Sequence, residues 1–208
     1  RTAEDVIKRF ATIYPVIGIT GPRQSGKTTL ARKIFAHLPY ISFQDLDVRA
    51  LAKSEPEIFL QQYLEGAIFD EVQHVPELLN YLQKIVDENQ KPGRFIITGS
   101  QNFTLSSTIT QSLAGRVGMV TLLPLSAAEL NTSEWPSLVL RGGYAKLHHM
   151  NLQTTDYYPQ YINSYVERDV RQLKNLGNLS AFKNFIRLCA GRIGQVVNLT
   201  SLAQDAHI

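Results

Sequence analysis

Gly21-Pro22-Arg23-Gln24-Ser25-Gly26-Lys27-Thr28 satisfies G-x-x-x-x-G-K-[ST], which gathers two glycines, an ammonium and a hydroxyl around one anion. Glycines let backbone N–H groups converge on a phosphate, and a helix opening near Lys27 turns the positive end of its dipole toward the same point. The expected ligand is a nucleoside triphosphate, held by Gly21 to Thr28 and by Thr29 in the next position. An accidental match arises in roughly one chain per hundred of this length. Requiring an apolar strand before the motif (Val16 to Thr20) and a helix-favouring run after it (Thr29 to Phe35) makes chance much rarer.

A phosphate loop leaves open what happens to the phosphate, so the next residues of interest are acids. Ala67-Ile68-Phe69 reads as a strand ending in Asp70-Glu71, and open parallel sheets bind ligands outside the carboxyl ends of their strands. Asp70 is the expected Mg²⁺-handling acid with the Thr28 hydroxyl, while Lys27 reaches the β- and γ-phosphates. A carboxylate at Glu71 suits polarising a water for in-line attack. Phe95 to Thr98 ends in Gly99-Ser100-Gln101-Asn102. If that strand lies between the loop strand and the Asp70 strand, Ser100 reaches the γ-phosphate or the water, with Gln101 or Asn102 as alternatives and a polar turn as the competing reading. Arg116 follows a helix closed by Gly115. By position alone it reads as a solvated helix-end arginine, though an arginine reaching a γ-phosphate from its own or a neighbouring copy stabilises transition-state charge.

Something must hold these groups, and the apolar pattern says what. Val16 to Thr20, Tyr40 to Phe43, Ala67 to Phe69, Phe95 to Thr98 and Val117 to Leu123 are short apolar runs separated by stretches long enough for crossover helices. They predict an α/β fold: a three-layer sandwich around a mostly parallel five-stranded sheet. Leu78, Leu79, Leu82, Ile85 and Val86 predict a helix opening at Pro76. Beyond Met150 the strand pattern stops, which predicts an α/β core carrying the phosphate loop over 1–150 and a helical tail over 151–208. In the tail, Asp156 to Leu173 reads as one helix, and Ser180 to Ala190 as another capped by Ser180.

At 208 residues, 44% hydrophobic and 19% charged, the chain has the composition of a globular protein. No apolar run approaches the length of a membrane span, so no membrane partner is expected. The lone Cys189 excludes an internal disulfide and a Cys-rich zinc site, and predicts a reducing, cytoplasmic setting. The chain begins at Arg1 and shows no signal-peptide pattern, as expected of a piece of a longer protein. A net charge of +3 permits a nucleic-acid partner without arguing for one. His148-His149 reads as a solvated loop rather than a metal pair, and Arg168, Arg171 and Lys174 as a solvated helix face before a phosphate-contacting strip.

Together with Phe69-Asp70-Glu71-Val72-Gln73-His74-Val75-Pro76, Ile97-Thr98-Gly99-Ser100, Ser112-Leu113-Ala114-Gly115-Arg116 and Gly142-Gly143-Tyr144, the loop resembles the bacterial and archaeal AAA-superfamily P-loop ATPases that carry a largely uncharacterised C-terminal domain. Tyr165 to Val170 and Ala190 to Gln195 extend the resemblance through the tail. It implies a nucleotide and Mg²⁺ site at Lys27, Thr28, Asp70 and Glu71, raises Arg116 to an arginine finger, and implies that Leu199 to Asp205 opens a winged-helix-like unit cut short at Ile208. Ala145 stands where the family often has Pro.

The leading function is then Mg²⁺-dependent ATP hydrolysis driving a conformational switch coupled to the C-terminal domain. That domain would offer a nucleic-acid or protein partner, and an arginine acting across subunits would require a homo-oligomer. The alternatives are a nucleotide-dependent recruitment module with little turnover, and a small-molecule kinase. GTP is disfavoured, because no N-K-x-D guanine-reading motif occurs.

Overall fold

Each of the five apolar runs forms a strand in a computed structural model of the chain, which describes residues 1–100, 109, 111–165 and 179–206. The strands are β1 (Val16–Gly21), β2 (Tyr40–Ser42), β3 (Ala67–Asp70), β4 (Phe95–Ser100) and β5 (Val117–Thr121), in the order β2-β3-β4-β1-β5. Every pairing is parallel, so all strands end at the same edge of the sheet. The sheet is therefore wholly rather than mostly parallel.

Parallel strands buried on both faces must be apolar on both, and their alternation sorts side chains between two cores. Ile17, Ile19, Ile68 and Ile96 pack with Ile7 of α1 (Ala3–Phe10) and with Leu30 and Ala31 of α2 (Lys27–Ile34). Val16, Ala67, Phe69, Phe95 and Ile97 pack with residues of α3 (Leu46–Ser54), α4 (Pro56–Gln61) and α5 (Leu78–Glu88). Two helical layers thus enclose the sheet.

Phe69 anchors the second core. Its ring lies 5.8 Å from Phe43, 6.1 Å from Phe59, 5.8 Å from Tyr63 and 6.0 Å from Phe95, centroid to centroid. Because successive strand residues face opposite ways, locking Phe69 on one face commits Asp70 to the other, the face that α2 covers. Thr98 and Ser100 share parity with Ile96 and so join it there.

Residues Arg1–Met150 form one compact unit and Asn151–Ile208 a second. The second contains helices Thr154–Tyr165, Leu179–Gly191 and Leu199–Ala206. Several boundaries differ from expectation. α5 opens at Leu78, not Pro76, because Pro76 belongs to the preceding turn, where its carbonyl accepts from the Leu79 N–H at 3.2 Å. Pro159 sits inside Thr154–Tyr165. Leu179 is already helical, which places Ser180 within the helix rather than at its cap. His148 and His149 lie in a short helix, Ala145–His149, instead of a loop, and His148 Nε2 contacts the Gly142 carbonyl at 2.7 Å. Ala145 is the first residue of that helix, a position open to Pro and Ala alike, so its departure from the family pattern leaves the turn intact. Gln101, Asn102, Arg168, Arg171 and Lys174 lie outside the described residues.

Phe69→Ala should lower stability by about 3–5 kcal/mol, the usual loss for a buried aromatic. Denaturant unfolding followed by circular dichroism checks this. A loss near zero would mean that the five-ring cluster does not anchor β3.

Candidate nucleotide site

The loop after β1 is built to leave donors facing outward. Gly21 has φ +144°, Gln24 +60° and Gly26 +92°, so the chain repeatedly enters the left-handed region while it turns into α2. Gly26 is the N-cap of α2 and has no side-chain oxygen with which to cap its opening N–H groups, and the first turn holds no acid. Such a helix end accepts an anion. The Lys27 side chain is buried and donates to the carbonyls of Gly21 at 3.1 Å and Pro22 at 2.8 Å, which keeps its ammonium inside the loop. The hydroxyls of Ser25 and Ser100 are buried without a hydrogen-bond partner among the described residues. Gly21 and Ser100 are register partners, so β4 brings Ser100 beside the start of the loop. A ring of donors, one buried cation and two unsatisfied hydroxyls together fit a polyphosphate.

Asp70 lies at the end of β3, only 3% exposed. Three hydroxyls donate to it: Thr28 to Oδ1 at 2.9 Å, Thr98 also to Oδ1, and Tyr40 to Oδ2 at 2.8 Å. The phenol of Tyr40 is pushed above its ordinary pKa, first by burial and then by its bond to Asp70, so it remains a protonated donor at neutral pH. Thr28 and Asp70, the two residues expected to hold a divalent cation, thus stand in direct contact. Both offer hard oxygen donors, the type Mg²⁺ prefers.

Glu71 follows in the left-handed region, φ +60° and ψ +47°, uncommon for a residue with a side chain. Its N–H donates to Thr98 Oγ1 at 3.4 Å, and the Gln73 amide donates to its carboxylate. Thr98 therefore touches both acids. His74, closing the 3-10 turn Val72–His74, has its pKa lowered by burial and then by the Arg49 charge, with a smaller contribution from Arg23 of the loop. Along α2, Thr28, Thr29, Arg32 and Lys33 line an open cleft of about 390 Å³.

Arg116 is not brought to this site. Its carbonyl accepts from the Val16 N–H at 3.2 Å, at the entry of β1, whereas the phosphate loop follows the exit. The length of β1 separates them, roughly 17 Å at about 3.3 Å per residue. There the guanidinium forms a two-pronged pair with Asp87 of α5 and donates to the Ala114 carbonyl at 2.9 Å. Gly115 has φ +73°, the left-handed helix exit expected of it. An arginine acting within its own copy is therefore set aside by the topology.

Tyr40, Thr98 and Gln73 are absent from the sequence-based set. Thr98 carried a readable signal, since it precedes Ser100 by one strand period. Tyr40 carried none, because nothing local says which residue of β2 lies beside β3.

Residues 14–131 match the family model described as an AAA domain, and 132–208 match a domain of unknown function (DUF8612). The chain belongs to the AAA-domain family of P-loop ATPases. It is 36% identical over 212 aligned residues to the uncharacterized proteins Rv2008c of Mycobacterium tuberculosis and Mb2031c of Mycobacterium bovis. The whole chain is covered but only 48% of either relative, so it spans about half their length. Among solved structures, the Walker-type ATPase PABY2304 of Pyrococcus abyssi is similar in fold, with a TM-score of 0.57 at 14% identity, over 100% of this chain and 88% of that one. The AAA model ends at 131, whereas the first compact unit runs to Met150. No helix among the described residues is long and apolar enough to cross a membrane.

The loop glycines differ in what they require. A Cβ on Gly21 would stand 2.2 Å from the Leu122 carbonyl oxygen, while one on Gly26 meets nothing within 4 Å. Gly26→Ala should cost about 1–2 kcal/mol, the left-handed penalty alone, and Gly21→Ala clearly more. Denaturant midpoints of the two variants check this, and equal losses would contradict it.

Proposed function

We propose that this chain binds ATP with Mg²⁺ at Gly21 to Thr29 and hydrolyses it, switching a conformation coupled to the C-terminal domain. The observation that supports this best is the 2.9 Å contact between Thr28 and Asp70, beside a buried Lys27 and the unsatisfied Ser100, at the carboxyl ends of three adjacent strands. Residues 1–150 act as the ATPase core, and 151–208 as the helical start of the C-terminal domain, through which a nucleic-acid or protein partner would be engaged. A single cysteine suits the reducing cytoplasm.

In this reading the loop N–H groups and Lys27 hold the phosphates, and Thr28 and Asp70 hold the cation. Mg²⁺ held by Thr28 and Asp70 would supply positive charge that offsets the charge developing on the phosphates. Glu71 accepts a proton from the attacking water, and Ser100 orients that water or the γ-phosphate. The Gln73 amide donates to Oε2 of Glu71 and leaves Oε1 to face that water. The second reading is a recruitment module that binds nucleotide and turns it over slowly.

Lys27→Ala should abolish most ATP binding by calorimetry, since it removes the fixed positive charge inside the loop. Glu71→Gln should keep ATP affinity and slow hydrolysis by about 10²-fold or more, the usual loss when a positioned base is removed. Wild-type ATP affinity in Lys27→Ala would overturn the site. Equal hydrolysis by wild type and Glu71→Gln would make Glu71 structural and favour the recruitment reading.

Arg116 serves a neighbouring copy in this proposal, because its own loop lies at the far edge of the sheet. Arg116→Ala should bind ATP normally and hydrolyse it slowly, since the guanidinium acts mainly on transition-state charge. Mixing it with Lys27→Ala should restore part of the activity, each copy supplying what the other lacks. Wild-type hydrolysis by Arg116→Ala alone, or a mixture without recovery, would remove the role in trans.

A further inference from the structure

We infer that Tyr40 is a positioning residue for the Asp70 carboxylate, fixing its plane from the edge strand so that it presents one oxygen to the divalent cation. The inference rests on the reading of Asp70 as the cation-handling acid. Tyr40 is 37% exposed on a three-residue edge strand, where water would satisfy a phenol at little cost. Its hydroxyl instead reaches inward to a carboxylate that is almost fully buried, donating to Oδ2 at 2.8 Å.

The other donors, Thr28 and Thr98, both act on Oδ1. Hydrogen bonds to both oxygens resist rotation about the Cβ–Cγ bond, which bonds to one oxygen do not. In the proposed site Thr28 is itself committed to the cation, so Thr98 and Tyr40 remain as the donors to Asp70. Tyr40 is then the hold on Oδ2.

Its own placement is specified by α2. Thr28 and Arg32 are four residues apart and share one face of that helix. Thr28 meets Asp70, and the Arg32 guanidinium carbon lies 4.7 Å from the centroid of the Tyr40 ring. A cation over an aromatic face attracts it, so one face of α2 contacts both the acid and the tyrosine that orients it. Parallel register completes the fit. Tyr40 pairs with Ile68, two residues before Asp70 on the same face of the sheet, and a tyrosine is long enough to span that step.

The test compares wild type, Tyr40→Phe, Arg32→Ala and Asp70→Asn in two measurements: calorimetric affinity for ATP without metal, and Mn²⁺ affinity of the complex with a non-hydrolysable ATP analogue, read from the electron paramagnetic resonance of free Mn²⁺. Tyr40→Phe should leave metal-free ATP affinity unchanged and weaken Mn²⁺ binding about 10-fold or more, as expected when a partner of a metal-binding carboxylate is lost. Arg32→Ala keeps the hydroxyl and changes only an exposed side chain. It should weaken Mn²⁺ binding about threefold, the worth of an exposed cation–π contact, and it stands as the test if the phenylalanine variant does not fold.

Wild-type Mn²⁺ affinity in Tyr40→Phe, with the loss confined to Asp70→Asn, would overturn the role of Tyr40 and leave the site reading standing. Equal loss of metal-free ATP binding in Tyr40→Phe would show a general structural role and also overturn it. Wild-type Mn²⁺ affinity in Asp70→Asn would overturn the site reading and this inference together.

Discussion

A carboxylate buried at the end of a parallel strand is the constraint on which the rest of the site depends. An ionised acid in that position is costly unless hydrogen bonds replace the water it loses. Asp70 draws its replacements from three elements: Thr28 from the first turn of α2, Thr98 from β4 and Tyr40 from β2. Satisfying one acid therefore fixes a helix and two strands relative to β3. The phenylalanine before it supplies the complementary anchor, since Phe69 fills an aromatic cluster on the opposite face.

Parallel topology then separates two chemistries. Every strand exit faces the phosphate loop, so Lys27, Asp70 and Ser100 converge without long-range design of each side chain. Every strand entry faces the other way, and Arg116 stands there, paired with Asp87. A site completed by that arginine must draw it from a second molecule, which makes assembly a condition of full activity in the proposed mechanism. The Asp87 pair is half exposed, and exposed pairs contribute little, so leaving it is a small penalty for such an assembly.

The strands were legible because each is an apolar run bounded by turn-forming residues, and the loop because its glycines and lysine have a fixed spacing. The ladder outlasts the apolar run, however: β3 continues into Asp70 and β4 into Ser100, since backbone pairing does not require apolar side chains. Ser100 was expected at the site on the condition that β4 lies between β1 and β3, which it does. Tyr40 was illegible because parallel register is set across distant segments. Glu71 was expected to act as a base from its place after Asp70, whereas its left-handed backbone and its bond to Gln73 depend on a turn that no local pattern announced.

In the proposed mechanism the loop, Lys27 and the Thr28–Asp70 pair form one Mg²⁺–ATP site. A crystal structure with Mg²⁺ and a non-hydrolysable ATP analogue tests it most directly. Phosphates are expected within hydrogen-bond distance of the loop N–H groups and Lys27 Nζ, with Thr28 and Asp70 at the cation. An analogue bound elsewhere, or bound in the loop with Lys27 still on the carbonyls of Gly21 and Pro22, would contradict it.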